Sequence, residues 1–152
     1  MSKKGFFNFW DNFEGNISSG LTVGIISSII TAFIWAGLSY LMEKQPVILF
    51  GAGVGVLVGI PMGLLGPSRP VPCSIMGGLF ALITCILGDF FWAVMVLAHE
   101  WDVSFFSTLL YLVRSGNFLE VAFIDFNFMS FLIFLIAVVI GSCAPFNIRQ
   151  ER

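Results

Sequence analysis

Charge is what this chain has least of: seven Lys and Arg and nine Asp and Glu bring the charged share of 152 residues to 11%, against about 25% for a soluble domain. The net charge is −2 and the few basic residues are scattered from Lys3 to Arg152, so no clustered cationic face exists for a nucleic acid. Histidine occurs once, as His99, and the segment His99, Glu100, Trp101, Asp102, Val103 lacks the second His that a zinc-binding helix needs four residues on. The three cysteines, Cys73, Cys85 and Cys143, sit in or beside apolar runs at no zinc or disulfide spacing, and read as small packing residues. A dyad of Ser104 and His99 has no third member and no oxyanion loop. Gly51, Gly53 and Gly55 are followed by no phosphate-loop Lys. The reading is therefore of a non-enzyme, with no catalytic residue, no metal and no cofactor.

Apolar surface is what the chain has in excess. Hydrophobic residues reach 58%, and Phe alone occurs 18 times, more than a soluble fold of this size can hide. A hydrocarbon layer of about 30 Å takes about 20 apolar residues as helix. Four stretches meet that length: 20–42, 46–66, 73–98 and 128–146. Glu43, Lys44, Gln45 and Pro46 form one turn, and Gly66, Pro67, Ser68, Arg69, Pro70 and Pro72 a second, where successive prolines break the helix. The spacing predicts an all-α polytopic membrane protein, a bundle of four transmembrane helices.

The connection 99–127 is different, because His99, Glu100, Asp102, Arg114, Glu120 and Asp125 make it too charged to span and its Phe and Leu residues make it too apolar for open water. Phe105, Phe106, Leu109, Leu110, Leu112 and Val113 form one apolar face, Ser115 to Asn117 interrupt it, and Phe118, Leu119, Ala122, Phe123 and Phe126 resume it. Two short interfacial helices are expected, the rival being a re-entrant hairpin whose backbone is covered by protein. The charges here read as solvated rather than as a cation site. In residues 1–19, Phe6, Trp10 and Phe13 share a helical face and read as an interfacial anchor. The apolar run after Gly20 is too long for a signal peptide and lacks a small-x-small cleavage site, so it is expected to stay as the first span. With both termini inside, Lys3, Lys4, Arg69, Arg149 and Arg152 face Lys44 and Arg114 across the membrane, and the basic excess puts both ends, including the tail 147–152, in the cytoplasm.

Small residues recur every fourth position along the spans. Gly51, Gly55, Gly59 and Gly63 stack bare backbone on one face of the second, as in a glycine zipper. Gly20, Gly24, Ser28, Ala32 and Ala36 do so in the first, and Gly77, Ala81 and Cys85 in the third. The fourth offers only Ala137 and Gly141, a weaker seam expected to close the bundle. One further step along the third stripe lands on Asp89, the only acid well inside a span. A carboxylate at such depth costs about 2.5–3.5 kcal/mol on insertion scales, so it is expected to face protein or water. In its protonated form it is able to donate to Ser27, Ser28, Thr31 or a backbone carbonyl. One reading makes Asp89 an interhelical hydrogen bond that sets register, and another a protonatable or cation-binding group. Pro61 frees the carbonyl of Leu57 and is placed to kink the second span.

Two resemblances follow. From Gly51 to Asp89 the chain resembles the hairpin of rotary ATPase c-subunit proteolipids, with Gly51, Gly53, Gly55, Arg69 and Asp89 in matching order. That likeness implies an ion-binding role for Asp89, but the loop sequence departs from the family and the flanking spans have no counterpart in it. Gly55 to Gly59, Gly66 to Pro72, Gly77 with Gly78, Leu87 to Asp89, and Ser104 to Phe106 are together similar to uncharacterised small bacterial four-span membrane proteins. This second likeness implies a bacterial cytoplasmic (inner) membrane location and no known activity. The expected role is a non-catalytic scaffold or accessory component. Its partners are membrane lipids and either a second copy or another membrane protein. The alternatives are a small oligomeric ion or proton conductor using Asp89, and a lipid-interacting or lipid-modifying protein using the acidic connection.

Overall fold

Where no water is present to satisfy backbone N–H and C=O groups, an apolar run must bond them to itself, and the helix is how an unpaired segment does so. A computed structural model describes residues 17–42, 48–66, 70–123 and 127–150, and among these there is helix and no strand. The helices are α1 (Ile17–Leu41), α2 (Ile48–Leu65), α3 (Pro70–Glu100), α4 (Phe105–Ser115), α5 (Phe118–Ala122) and α6 (Phe128–Gln150). The aromatic anchor around Trp10, the turn residues Glu43 to Pro46 and Pro67 to Arg69, and Asp125 and Phe126 lie outside the described residues.

Three helical segments are long and apolar enough to cross a membrane: Ser18–Leu41, Val71–Glu100 and Phe128–Ile148. The apolar segment Gly51–Leu65 of α2 is shorter. Two boundaries differ from the sequence expectation. Pro70 and Pro72 belong to the first turn of α3 rather than to the preceding turn, because the first N–H groups of a helix have no intrahelical acceptor and a proline there loses nothing. At the other end of the chain α6 continues through Pro145 to Gln150, into residues expected as tail.

Side-chain sizes sort in the sense that a lipid solvent imposes. Inside are Ala32, Ala36, Ala81, Cys85, Ala137 and Thr84, each with no exposed surface. Outside are Ile25, Ile26, Ile29, Ile30 and Phe33 of α1, Ile75 and Leu79 of α3, and Leu135 and Val139 of α6, all exposed. Lipid tails solvate Ile and Leu as well as a protein core does, whereas small residues let backbones approach and gain dispersion contacts.

The packing partners fix direction. Gly24 meets Phe80 and Trp35 meets Gly88, so α1 and α3 run the same way. Gly51 meets Ile133, Gly55 meets Ala137, Gly59 meets Gly141 and Gly63 meets Pro145, so α2 and α6 also run the same way. Ser74 donates to the Ser142 carbonyl at 2.8 Å and Gly78 meets Val138, so α3 and α6 run oppositely. Helix α2 packs most extensively on α6, and α3 lies against all of α1, α2 and α6.

At its C-terminal end α3 turns on Asp102, a non-glycine residue in the left-handed region (φ 51°). Val103 N–H donates to the Ala98 carbonyl at 3.0 Å and Asp102 N–H to that of His99 at 3.4 Å, which is a Schellman closure. Ser104 then caps α4 by accepting from Ser107 N–H at 3.3 Å, and Gly116 (φ 75°) ends it. Helix α4 is one-sided: Thr108 and Leu112 are buried while Phe106, Leu110, Tyr111 and Val113 are exposed. With α5 it covers Phe90 and Val94 of α3, forming a cluster with Leu112 and Ala122.

Candidate functional site

Two features unite the residues singled out from the sequence: the seam on α6 and the carboxylate on α3. The α2 ladder is pressed on α6. A methyl group added at Gly51 would lie 2.5 Å from the Ile133 carbonyl oxygen, at Gly55 2.8 Å from that of Ala137, and at Gly63 2.9 Å from the Pro145 Cα. At Gly59 it would lie 2.9 Å from the Ala144 Cβ and 3.3 Å from the Gly141 oxygen. Real Cβ atoms do not approach backbone to 2.5–2.9 Å, so only hydrogen fits at these positions. Gly53 is different, since nothing lies within 4 Å of its missing Cβ.

Helix α6 also receives Gly77 and Ala81 of α3. Gly77 abuts the Gly141 carbonyl oxygen, and a methyl group at Gly141 would lie 2.7 Å from the Ala81 Cβ. Gly141 is thus clasped between two helices. The reason lies four residues on, where Pro145 has no N–H to return to the Gly141 carbonyl. That oxygen lies instead against Gly77, whose Cα–H is a weak donor of the kind that recurs at helix interfaces. The expected weaker seam of the last helix is where the backbones come closest, because carbonyl oxygens, rather than small side chains, form its contact surface.

The α1 stripe meets α3. Gly20 and Gly24 are buried, with the Phe80 ring lying on Gly24. Ser28 donates to the Phe80 carbonyl at 3.3 Å, and Thr84 donates to the same oxygen at 2.7 Å. Ser27 donates within its own helix, to Gly24.

Asp89 is half-buried, and Trp35, which the sequence reading did not offer as a partner, donates from Nε1 to Asp89 Oδ1 at 3.1 Å. The indole reaches it by lying flat against Gly88, the one position of that turn with no side chain to obstruct it. Trp35 itself is 8% exposed and packs in a cluster with Val54, Cys85, Ile133, Phe134 and Ala137. The next residues of α3 enter an aromatic layer, in which Phe33 stacks on Phe91 and Phe90 meets Phe118, each with ring centroids 4.5 Å apart. No Lys or Arg occurs in α1, α2 or α3. The Asp89 carboxyl accepts from an indole N–H in a largely apolar setting, a contact that joins α1 to α3. Trp35 and Gly88 are the residues sequence reasoning missed. The adjacent Gly88–Asp89 pair was the signal available, since a glycine beside a membrane carboxylate leaves room for a large donor.

Pro61 lies inside α2, on a groove between α1 and α2. Away from the spans, His99, Glu100, Asp102 and Glu120 are exposed, and no group of His, Cys, Asp and Glu placed to hold a metal ion occurs among the described residues.

Comparisons with protein-family profiles, with curated proteins and with solved structures find no match for this chain. Its class rests on its own architecture, which is that of an all-α protein embedded in a membrane through several apolar helices.

Proposed function

We propose that this chain is a non-catalytic scaffold or accessory component of a bacterial cytoplasmic membrane, with four spans and both termini in the cytoplasm. The observation that supports it best is the stacking of Gly51, Gly55, Gly59 and Gly63 along α6, which commits the most adhesive surface of the molecule to its own folding. Helix α2, 18 residues long, extends about 27 Å and needs little tilt to cross a thin bilayer. Paired directions, α1 with α3 and α2 with α6, suit an even number of crossings, and the basic residues favour the cytoplasm for both ends. A carboxyl engaged by an indole N–H from another helix fits a role in register. Lipids are the standing partners of the Ile-rich outer faces, and a further partner is a second copy or another membrane protein.

The decisive experiment is reconstitution of the purified chain into sealed vesicles. Proton and monovalent-cation flux are expected to stay at the level of empty vesicles, and labelled phospholipids to remain chemically unchanged. Flux that disappears in Asp89→Asn would replace this reading with that of a conductor. Conversion of the lipids would replace it with that of a lipid-modifying protein.

A further inference from the structure

Two prolines interrupt the spans, and each deprives a carbonyl four residues earlier of its N–H: Pro145 that of Gly141, and Pro61 that of Leu57. The first lies against Gly77. The second is placed differently, for Leu57 and Pro61 both line an open groove of about 300 Å³ between α1 and α2. Across that groove stands Thr31, only 3% exposed. Neighbouring hydroxyls all find acceptors, Ser27 at Gly24 and Ser28 and Thr84 at Phe80. Among the described residues the Thr31 hydroxyl makes no hydrogen bond. A buried polar group normally has a partner, and one left without it carries a free-energy cost.

Apart from Ser27, whose hydroxyl donates to Gly24, the rest of the described lining is apolar, and the flanks, Ile26, Ile30 and Leu65, are exposed, so the groove opens sideways toward lipid. Its volume falls at the small end of ligand sites. Among the described residues no charged side chain lines it, which favours a neutral ligand. A saturated acyl chain would fill the space yet leave Thr31 and the Leu57 carbonyl unmet. What satisfies a donor and an acceptor together is a hydroxyl, which accepts one hydrogen bond and donates another.

We propose that the α1–α2 groove binds a membrane-soluble molecule with an apolar body and a single hydroxyl, accepting from Thr31 and donating to the Leu57 carbonyl. The occupant enters from the bilayer rather than from water. Its recognition depends on one side-chain oxygen.

The test uses the full chain in phosphatidylcholine nanodiscs and two photoreactive probes of equal length, a diazirine-bearing octanol and the matching diazirine-bearing octane, with adducts mapped by mass spectrometry. The alcohol is expected to concentrate on groove residues of α1 and α2 and to be displaced by excess octanol. The alkane is expected to spread over lipid-facing positions such as Leu21 and Leu135 and to resist displacement. Thr31→Val keeps the side-chain shape and should lower alcohol adducts in the groove about five-fold, leaving labelling elsewhere unchanged. Ile30→Trp, on the exposed flank, should fill the groove and exclude both probes even if the first variant folds poorly. Equal labelling by alcohol and alkane in the unmodified chain would overturn the proposal, as would alcohol adducts indifferent to Thr31→Val. Protection of the groove from both probes, with cross-links between chains at Ile30, would assign it to a second copy instead.

Discussion

Gly77 rests against the carbonyl oxygen of Gly141, the oxygen that Pro145 leaves without its helical N–H. The proline and the glycine are on different helices and act as one device. Pro145 exposes an acceptor and Gly77 comes close enough to cover it with Cα–H. Gly55 and Gly59 approach the same residue from α2, so three helices converge on Gly141.

Gly77→Ala should therefore destabilise the protein by about 1–3 kcal/mol, because its methyl group would press on backbone that has nowhere to move. Gly53→Ala, with open space at the same point, should be neutral or stabilising by about 0.5–1 kcal/mol through reduced chain entropy. Thermal unfolding of the two variants in one detergent compares them. Equal losses would show that α3 and α6 are not in close contact.

Trp35→Phe retains the ring over Gly88 and removes the indole donor to Asp89. Interhelical hydrogen bonds in membranes average about 0.6 kcal/mol and reach about 1.7, so a loss in that range is expected. Asp89→Asn keeps an acceptor oxygen and should cost less. In a double-mutant cycle, Trp35→Phe combined with Asp89→Leu should show coupling in the same range, and a coupling of zero would mean that the two side chains are independent.

Asp102→Gly should stabilise the protein by about 1 kcal/mol, since a left-handed backbone is strained for a residue with a Cβ and free of strain for glycine. The matching loss belongs to Gly116→Ala, at φ 75°. Denaturant titration monitored by Trp fluorescence measures both, and a destabilised Asp102→Gly would point to a side-chain role for Asp102.

The three cysteines should react unequally. Cys73 and Cys85 are buried and Cys143 is exposed on α6. A membrane-permeant maleimide is expected to add once per folded chain, at Cys143, and three times after denaturation. Early labelling of Cys85 would contradict the cluster it forms with Trp35 and Phe134.

Much of this architecture could be read before any coordinates. The apolar runs predicted helices that the structure places within a few residues, because a membrane helix satisfies its own backbone and so depends on local composition. The break at Ser115 to Asn117 separated α4 from α5 for the same local reason, with Gly116 supplying the left-handed stop. Prolines misled at one point: Pro70 and Pro72, read as part of a turn, are harmless in the first turn of a helix.

Partner choice was another matter. Four-residue periodicity assigned small residues to faces but contained no information on which face meets which, since every seam of glycine and alanine attracts every other through the same short-range dispersion. The pairing of the ladder with α6 comes from carbonyls at Ile133, Ala137 and Gly141, and backbone oxygens have no letter in a sequence. Likewise, one-dimensional spacing located Asp89 and offered hydroxyls as its partners, but gave no sign of the indole that donates to it, brought alongside by α1 and α3 running in the same direction. Composition settled that the chain dissolves in lipid, because solvation is a sum over residues. Contacts between remote helices depend on axial offset and direction, and those quantities exist only once the helices are packed.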